Sequence, residues 1–376
     1  MFWNRKKTWD VIKPVSKSNK CIVRNVNAHL IVVAAFLATG AGRALADFTF
    51  GTPENLGPVV NSSAYDATPC VSTDELSLYF TSARSGGSGN WDIWVSTRAT
   101  MDDPWGEPEN LGPVVNSSAR DFAPCISADE LSLYFTSDRP GGLWGWDIWV
   151  STRATTDDPW EEPENLGPVV NSSAYDSAAC ISADGLELFL CSRRSGGLGS
   201  DDIYVSTRAT TDDPWGKPVN LSFNNSAKEG YPSISSDGLT LFFSSFKNGG
   251  LGEDDIWMTT RLTKDDDWGI PVNLGLPVNT SGHEGSPSIS ADGTTLYFYS
   301  DPPDGIVDVG LWQTSIEPIV DLNADGIVDA LDMCIIVDHW GTDESLCDIG
   351  PTPFGDGVVD VQDLIVLAEH LFEEIP

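Results

Sequence analysis

The chain has 376 residues, with 21 Lys and Arg against 56 Asp and Glu and a formal charge of −35. So negative a chain repels phosphate backbones and anionic lipid, which excludes sequence-independent nucleic-acid binding and electrostatic membrane docking. With 40% hydrophobic and 10% aromatic residues it can build real cores, and its length suits more than one domain.

Residues 1–27 are basic, carrying Arg5, Lys6, Lys7, Lys13, Lys17, Lys20 and Arg24. The apolar run 30–38 comes next, and Ala44-Leu45-Ala46 then precedes Asp47. A charged n-region, a short apolar core and a small-x-small site predict a secretory signal over 1–46, with an uncleaved anchor as the alternative. The run is too short to span a bilayer, and no later stretch reaches about 18 apolar residues. Removing the signal leaves 13 basic against 55 acidic residues, a formal charge of −42 over 330 residues. The expected product is secreted, extracellular or at the cell surface, with no membrane insertion after cleavage.

From residue 47 to about 316 the chain is internally repetitive. PENLGPVVNSS begins at Pro53, Pro108 and Pro163, and degraded copies begin at Pro218 and Pro271. Each unit continues with P-x-[IV]-S-x-D-[EG], an apolar-aromatic run, S-x-R-x-GG and DI[WY], as in SLYFTSARSGG with WDIWVSTR over 77–98. The runs are short, rich in Tyr, Phe, Trp, Ile and Val, and bounded by Asp-Gly, Asp-Glu or Gly-Gly, so they are hairpin-joined strands. Nothing in 47–316 has helical periodicity. Four strands per unit of about 55 residues make a propeller blade. The last unit ends at LWQTS (311–315) without a P-x-N-L strand of its own, whereas the first such copy, near 47–57, is left over. The expectation is all-β, a five-bladed propeller over 47–316 whose N-terminal strand completes the last blade and removes an open edge. Six blades is the alternative if 47–57 or 301–318 hides a divergent unit. The text PSISxDGxxLYFxSxRxGGxGxxDIW resembles the TolB-type, WD40-like propeller repeat of exported bacterial proteins. That resemblance implies fold, export and an interaction surface, and leaves the chemistry open.

Each blade places one carboxylate four residues before its Cys/Ser strand position: Asp66, Asp121, Asp176, Glu229 and Glu284. At the start of the inner strands these would ring one mouth of the central channel. Neighbouring charges about 10 Å apart cost roughly 0.4 kcal/mol in water and about 1.7 at an effective dielectric of 20, so the ring is expected to be hydrated, partly protonated or neutralised by a cation. Glycoside hydrolysis by such carboxylates is the catalytic alternative. It needs an acid and a partner in unlike environments, whereas these are copies of one position. Departures from the repeat are Phe122, Cys191, His283 and Pro302-Pro303, none of them an acid–base pair, so no catalytic residue is assigned. The Arg/Lys of S-x-R-x-GG (Arg84, Arg139, Arg194, Lys247) and the Asp of DI[WY] (Asp92, Asp147, Asp202, Asp255) read as intrablade ion pairs and turn caps. Trp91, Trp144 and Trp146 are not carried through all the units and lie in glycine-rich hairpins, where their rings could stack on sugar. Cys70, Cys125 and Cys180 share one strand position, held by Ser233 and Ser288 in the last two blades, and read as small core residues. Cys191 is a candidate to face Cys180 across the Asp184-Gly185 hairpin, a pairing for geometry to decide.

At Glu317-Pro318 the text changes to DLNADGIVDALD. Asp321, Asn323, Asp325, Asp329 and Asp332 fall at loop positions 1, 3, 5, 9 and 12, with Gly326 at the tight turn and the Ile327 carbonyl at position 7. That oxygen-rich spacing suits Ca²⁺, and Leu331, Ile335, Ile336 and Trp340 then recur at helical spacing. GDGVVDVQDLIVLAEHL (355–371) repeats the pattern with Asp356, Val358, Asp360 and Asp363. Asp348 supplies the first carboxylate if the loop holds four extra residues. Cys334 and Cys347 bracket the link between the two copies and are a candidate disulfide. The paired loop-plus-helix with Asp at position 12 resembles the type I dockerin. The resemblance implies a small α-helical domain over 317–376, two EF-hand-like Ca²⁺ sites, and docking onto a cohesin on a scaffold or cell surface in polysaccharide degradation. Ala330, Leu331, Val361 and Gln362 stand where such domains select their partner. The expected role is a non-catalytic binding protein with a polysaccharide ligand. The alternatives are a glycoside hydrolase and a structural surface protein without a glycan ligand.

Overall fold

The computed structural model describes residues 48–302, 309–323, 327–342, 347–350 and 358–371; the expected signal 1–46 lies outside them. Five antiparallel sheets succeed one another along the chain. The first blade is Asp66–Val71, Ser77–Ser82, Asp92–Thr97 and Glu109–Asn110, in that spatial order. Blades two, three and four repeat it from Asp121, Asp176 and Glu229. The fifth sheet holds His283–Ile289, Thr295–Asp301 and Gly310–Pro318, and is completed by Phe48–Phe50 and Glu54–Asn55. Glu54 faces Gln313 and Asn55 faces Trp312, so the leftover repeat copy closes the ring. The architecture is a five-bladed propeller, not a six-bladed one.

The repeated text of the units is the text of the frame. In the first unit Asn61 receives the Leu311 N–H at 2.7 Å and donates Nδ2–H to the Leu311 carbonyl at 3.0 Å, reaching back to the preceding blade. Asn116 on Ile93, Asn171 on Ile148, Asn224 on Ile203 and Asn279 on Ile256 repeat this two-bond clamp. In the S-x-D turn, Asp74 accepts from Ser72 Oγ and the Leu76 N–H, which sets the hairpin. Arg98, Arg153, Arg208 and Arg261 lie 4.2–4.5 Å from the rings of Trp105, Trp160, Trp215 and Trp268. Apolar side chains of adjacent blades, such as Phe80 with Tyr297 and Phe189 with Phe243, fill the seams.

Every inner strand carries a bulge. Thr68, Ala123, Ala178, Tyr231 and Ser286 have φ of 49–52°, and the pairing register shifts beside each. This shift overturns the expected Cys180–Cys191 facing: Cys180 stands opposite Phe189, and Cys191 opposite Ser177. A separate apolar cluster, including Val320, Val328, Ile336, Ile349, Val359 and Leu367, holds the helices Ala330–Asp338 and Val361–Glu369 together. Of the candidate pair Cys334 and Cys347, the second places its Sγ 3.5 Å from His339 Nδ1.

Candidate functional site

The five carboxylates do begin or nearly begin the inner strands, but they turn into the blades. Asp66, Asp121, Asp176, Glu229 and Glu284 are at most 1% exposed. Asp66 receives the Ser62 N–H at 2.6 Å, Ser62 Oγ–H at 2.7 Å and Arg84 Nη2 at 2.7 Å. Arg139 serves Asp121 at 2.5 Å, and Arg194 serves Asp176 at 2.6 Å. In blade four Glu229 is held by Asn225 and Ser245, and in blade five Glu284 by Thr280 and Ser300, where Pro302 replaces the arginine. Burial pushes the Glu229 carboxyl up to about 7 and also raises Glu284. The hydrated channel ring is therefore replaced by buried, internally bonded carboxylates, because an arginine or a polar cap inside the same blade out-competes water. The DI[WY] aspartates cap turns, as when Asp92 receives the Gly89 N–H at 2.9 Å.

What faces the mouth is the set of positions where the units disagree. The residue before each buried carboxylate is Tyr65, Arg120, Tyr175, Lys228 or His283, and the residue before each DI[WY]-type strand is Trp91, Trp146, Asp201, Asp254 or Val309. Their rings, with Phe122, Tyr299 and Phe246, form a collar of successive contacts that runs from blade three back through blades two, one and five to blade four. Tyr175 meets Trp146 at 4.9 Å between centroids, Trp146 meets Phe122 at 5.1 Å, and Phe122 meets Trp91 at 5.4 Å. Trp91 then stacks on Tyr65 at 5.8 Å, and Tyr65 leads through Tyr299 and His283 to Phe246 at 5.5, 5.7 and 6.2 Å. Arg120, ion-paired to Asp138 at 2.6 Å, covers Trp91 and Trp146. Of the three tryptophans singled out from sequence, Trp91 and Trp146 are in this collar, whereas Trp144 projects into solvent at 76% exposure.

The collar has a polar gap between blades three and four. Asp201 is clamped by Arg193 at 2.7 and 3.1 Å. Asp254, 2% exposed, holds Lys228 Nζ at 3.4 Å and His283 Nε2 at 3.7 Å through Oδ2, while its Oδ1 has no partner among the described residues. Burial raises the Asp254 carboxyl, with Lys228 and His283 pulling it down. Gly230 and Gly285 occupy the position that Phe122 fills in blade two, so no ring stands there; a Cβ would lie 3.2 Å from Cys191 Sγ at the first and 3.0 Å from Ser244 Oγ at the second. Tyr231 stands among the small residues Thr68, Ala123, Ala178 and Ser286 lining the channel and narrows it. Cys191 is buried here with its thiol pushed up by burial, so it is a poor nucleophile. The site therefore carries the exposed rings of Tyr65 and Tyr175, the half-buried rings of Trp91 and Trp146, and a buried carboxylate, Asp254, beside Lys228, with no nucleophile–base pair among the described residues. Sequence reasoning flags Phe122, Cys191, His283, Trp91 and Trp146 separately. It misses Tyr65, Tyr175, Lys228, Phe246, Tyr299, Asp201 and Asp254, which stacking the units column by column exposes.

In the C-terminal helical pair, Asp329 and Asp360 cap the two helices and Asp332 and Asp363 complete matching capping boxes. Asp332, fully buried, accepts from the Asn323 and Asp329 N–H groups, as Asp363 does from those of Gly350 and Asp360. Gly350 thus corresponds to Asn323, which puts Asp348 in register with Asp321. Asp325 and Asp356 lie outside the described residues, and among those described no three acidic, histidine or cysteine side chains converge on a metal. The donor types nevertheless fit Ca²⁺. Asn323 Nδ2 is buried without a partner, the sign of an amide whose oxygen belongs on that side, facing a cation. Ile327 and Val358, the backbone-oxygen positions, are exposed, as are Leu331 at 53% and Val361 at 55%. Of the apolar helical set, only Ile336 is fully buried, whereas Trp340 is half exposed.

No protein-family model and no curated protein matches the chain. Among solved structures, TolB from Acinetobacter baumannii matches at 15% identity over 73% of this chain and 65% of that one, with a TM-score of 0.44. An alpha-L-arabinofuranosidase from Lactobacillus brevis matches at 15% identity over 70% and 92%, TM-score 0.46. An exo-beta-1,3-galactanase from Phanerochaete chrysosporium matches at 11% identity over 73% and 65%, TM-score 0.47. Likenesses of this size say nothing of what this chain binds or does.

Proposed function

We propose that the chain is an exported, non-catalytic binding protein that takes a polysaccharide on the aromatic collar. Its C-terminal helical pair acts as a calcium-dependent dockerin that tethers it to a cohesin. One contrast carries the reading: the frame repeats almost letter for letter, while the two collar positions hold a different pair of residues in every blade and gather at one end of the channel. Aromatic faces suit the C–H faces of sugar rings. Lys228 and Asp254 side by side suit vicinal hydroxyls, one hydroxyl donating to the carboxylate and accepting from the ammonium. Half-exposed Leu331, Val361 and Trp340 give the helical pair an apolar surface for a protein partner. Asp201 and Asp254, carboxylates in unlike surroundings on adjacent blades, favour glycoside hydrolysis as the second reading.

The test is calorimetry of the mature protein with calcium against a panel of polysaccharides and chromogenic glycosides. Binding without turnover, weakened at least tenfold in Trp91→Ala or Trp146→Ala but not in Trp144→Ala, is expected. Binding unchanged in the first two variants removes the collar reading. Turnover that disappears in Asp254→Asn makes the protein an enzyme.

A further inference from the structure

One strand position carries Cys70, Cys125 and Cys180 in blades one to three and Ser233 and Ser288 in blades four and five. Around the channel these side chains form a closed cycle of acceptors for the next blade's backbone. The Ile126 N–H donates to Cys70 Sγ at 3.3 Å and the Ile181 N–H to Cys125 Sγ at 3.4 Å. Ile234 bonds Cys180 in the same way, Ile289 N–H reaches Ser233 Oγ at 3.1 Å, and Val71 N–H reaches Ser288 Oγ at 3.3 Å. The frame thus needs an acceptor here and is served equally by serine. Three thiols in succession add a chemistry that serine lacks. Cys125 is buried in an apolar cluster against which half-buried Cys70 and Cys180 pack, and the bonds to Ile126 and Ile181 bring each sulfur to the residue that follows the next cysteine.

We propose that Cys70, Cys125 and Cys180 form a thiol–disulfide site in which Cys125 bonds to a flanking cysteine and ties two blades together, a small-molecule disulfide being the oxidant. The Cys180 thiolate attacks one sulfur of RSSR, releasing RS⁻ and forming a mixed disulfide. The Cys125 thiolate then attacks Cys180 Sγ and releases the second RS⁻. The two protein thiol protons end on two RSH, so two thiols are oxidised and one disulfide is reduced. Cys180 is half-buried where Cys125 is buried, which suits it to the first attack on an incoming disulfide. Cys70, also touching Cys125, can take over the bridge by attacking Cys125 Sγ and expelling Cys180.

The experiment incubates the folded full chain with oxidised glutathione, caps remaining thiols with iodoacetamide and maps the cysteines by mass spectrometry. The expected result is a linked peptide pair, two hydrogens lighter, joining Cys125 to Cys180 or Cys70, with a raised thermal midpoint. Cys125→Ser, which keeps the acceptor as blades four and five do, removes both the pair and the shift. Cys70→Ser retains the Cys125–Cys180 bridge. Glutathione adducts alone, complete alkylation of all three cysteines, or a bridge that survives in Cys125→Ser overturns the proposal.

Discussion

Glu75 is a residue at which backbone and charge are both unfavourable. It occupies the last position of the S-x-D-[EG] turn with φ of 57°, where blades three to five carry Gly185, Gly238 and Gly293 at 71–77°. A side chain in the left-handed region costs about 1–2 kcal/mol, against roughly 0.5–1 for the extra freedom of an unfolded glycine. The Glu75 carboxylate is also buried at 4% exposure, with Oε2 receiving no hydrogen bond and lying 3.8 Å from Arg98 Nη2. Burial, with Asp292 adding to it, pushes the carboxyl up to about 7, and Arg98 only partly opposes this. The folded state therefore holds the proton more tightly than the unfolded chain. Its contribution to stability is present below the ordinary glutamate value and is lost as pH rises through about 7. Glu75→Gly removes strain and buried charge together. It should raise the thermal midpoint by several degrees at pH 8 and by much less at pH 5. Calorimetric scans at both values check this, and a larger gain at pH 5 contradicts the account.

At the scale of the element, the asparagine clamp links each blade to the one before, and the acid–arginine pair ties blades one to three internally. Asn116 is 1% exposed and satisfies both the N–H and the C=O of Ile93. Asn116→Ala strands the buried Ile93 N–H, whereas the Ile93 carbonyl keeps the Leu111 N–H, and should cost about 1–3 kcal/mol in urea unfolding, without altering the spectrum of what remains folded. Arg139 pairs with the fully buried Asp121 and lies over Phe135 and Trp149. Arg139→Ala should cost about 3–5 kcal/mol, because it strands a buried charge. Blade four already carries Glu229 and Lys247 at these places, so Asp121→Glu with Arg139→Lys should lose less than Arg139→Ala alone. An equal or larger loss in urea titrations would sink that equivalence. Much of this frame is legible in the sequence: the 55-residue text predicts four short strands per unit, and the unmatched P-x-N-L copy predicts closure by the N-terminal strand. The fate of the five carboxylates is not, although the constant spacing from Asp66 to Arg84 and from Asp121 to Arg139 is in the text. Chain spacing along a hairpin becomes informative only once the strands are paired. The inner-strand bulges are hidden as well, since nothing in T-P-C or A-P-C signals φ above zero, and they decide that Cys191 faces Ser177.

Across the whole molecule, repetition and divergence divide the labour. Positions that agree between units bury themselves in the seams, and positions that disagree meet at one end of the channel, so a site spread over five blades is invisible in any single one. The C-terminal pair obeys another logic. Its apolar cluster is drawn from 320–371 alone, and it is small, with two helices of nine residues each. Buried Asp332 and Asp363 lie at its centre, and burial raises the Asp363 carboxyl. Two buried carboxylates in so small a core oppose folding unless a cation offsets them. A bound Ca²⁺ at about 1,000-fold its Kd would add roughly 4 kcal/mol per site, a large share of what a segment of this size can reach. The propeller's seams and clamps contain no such dependence. EGTA should therefore abolish the helical signal of the tail in far-ultraviolet circular dichroism and leave the propeller's melting transition where it was. Calcium restores the lost signal in the native chain but not in Asp332→Ala with Asp363→Ala. Parallel loss of both transitions in EGTA would mean that the tail and the propeller fold as one unit and that the cation acts elsewhere.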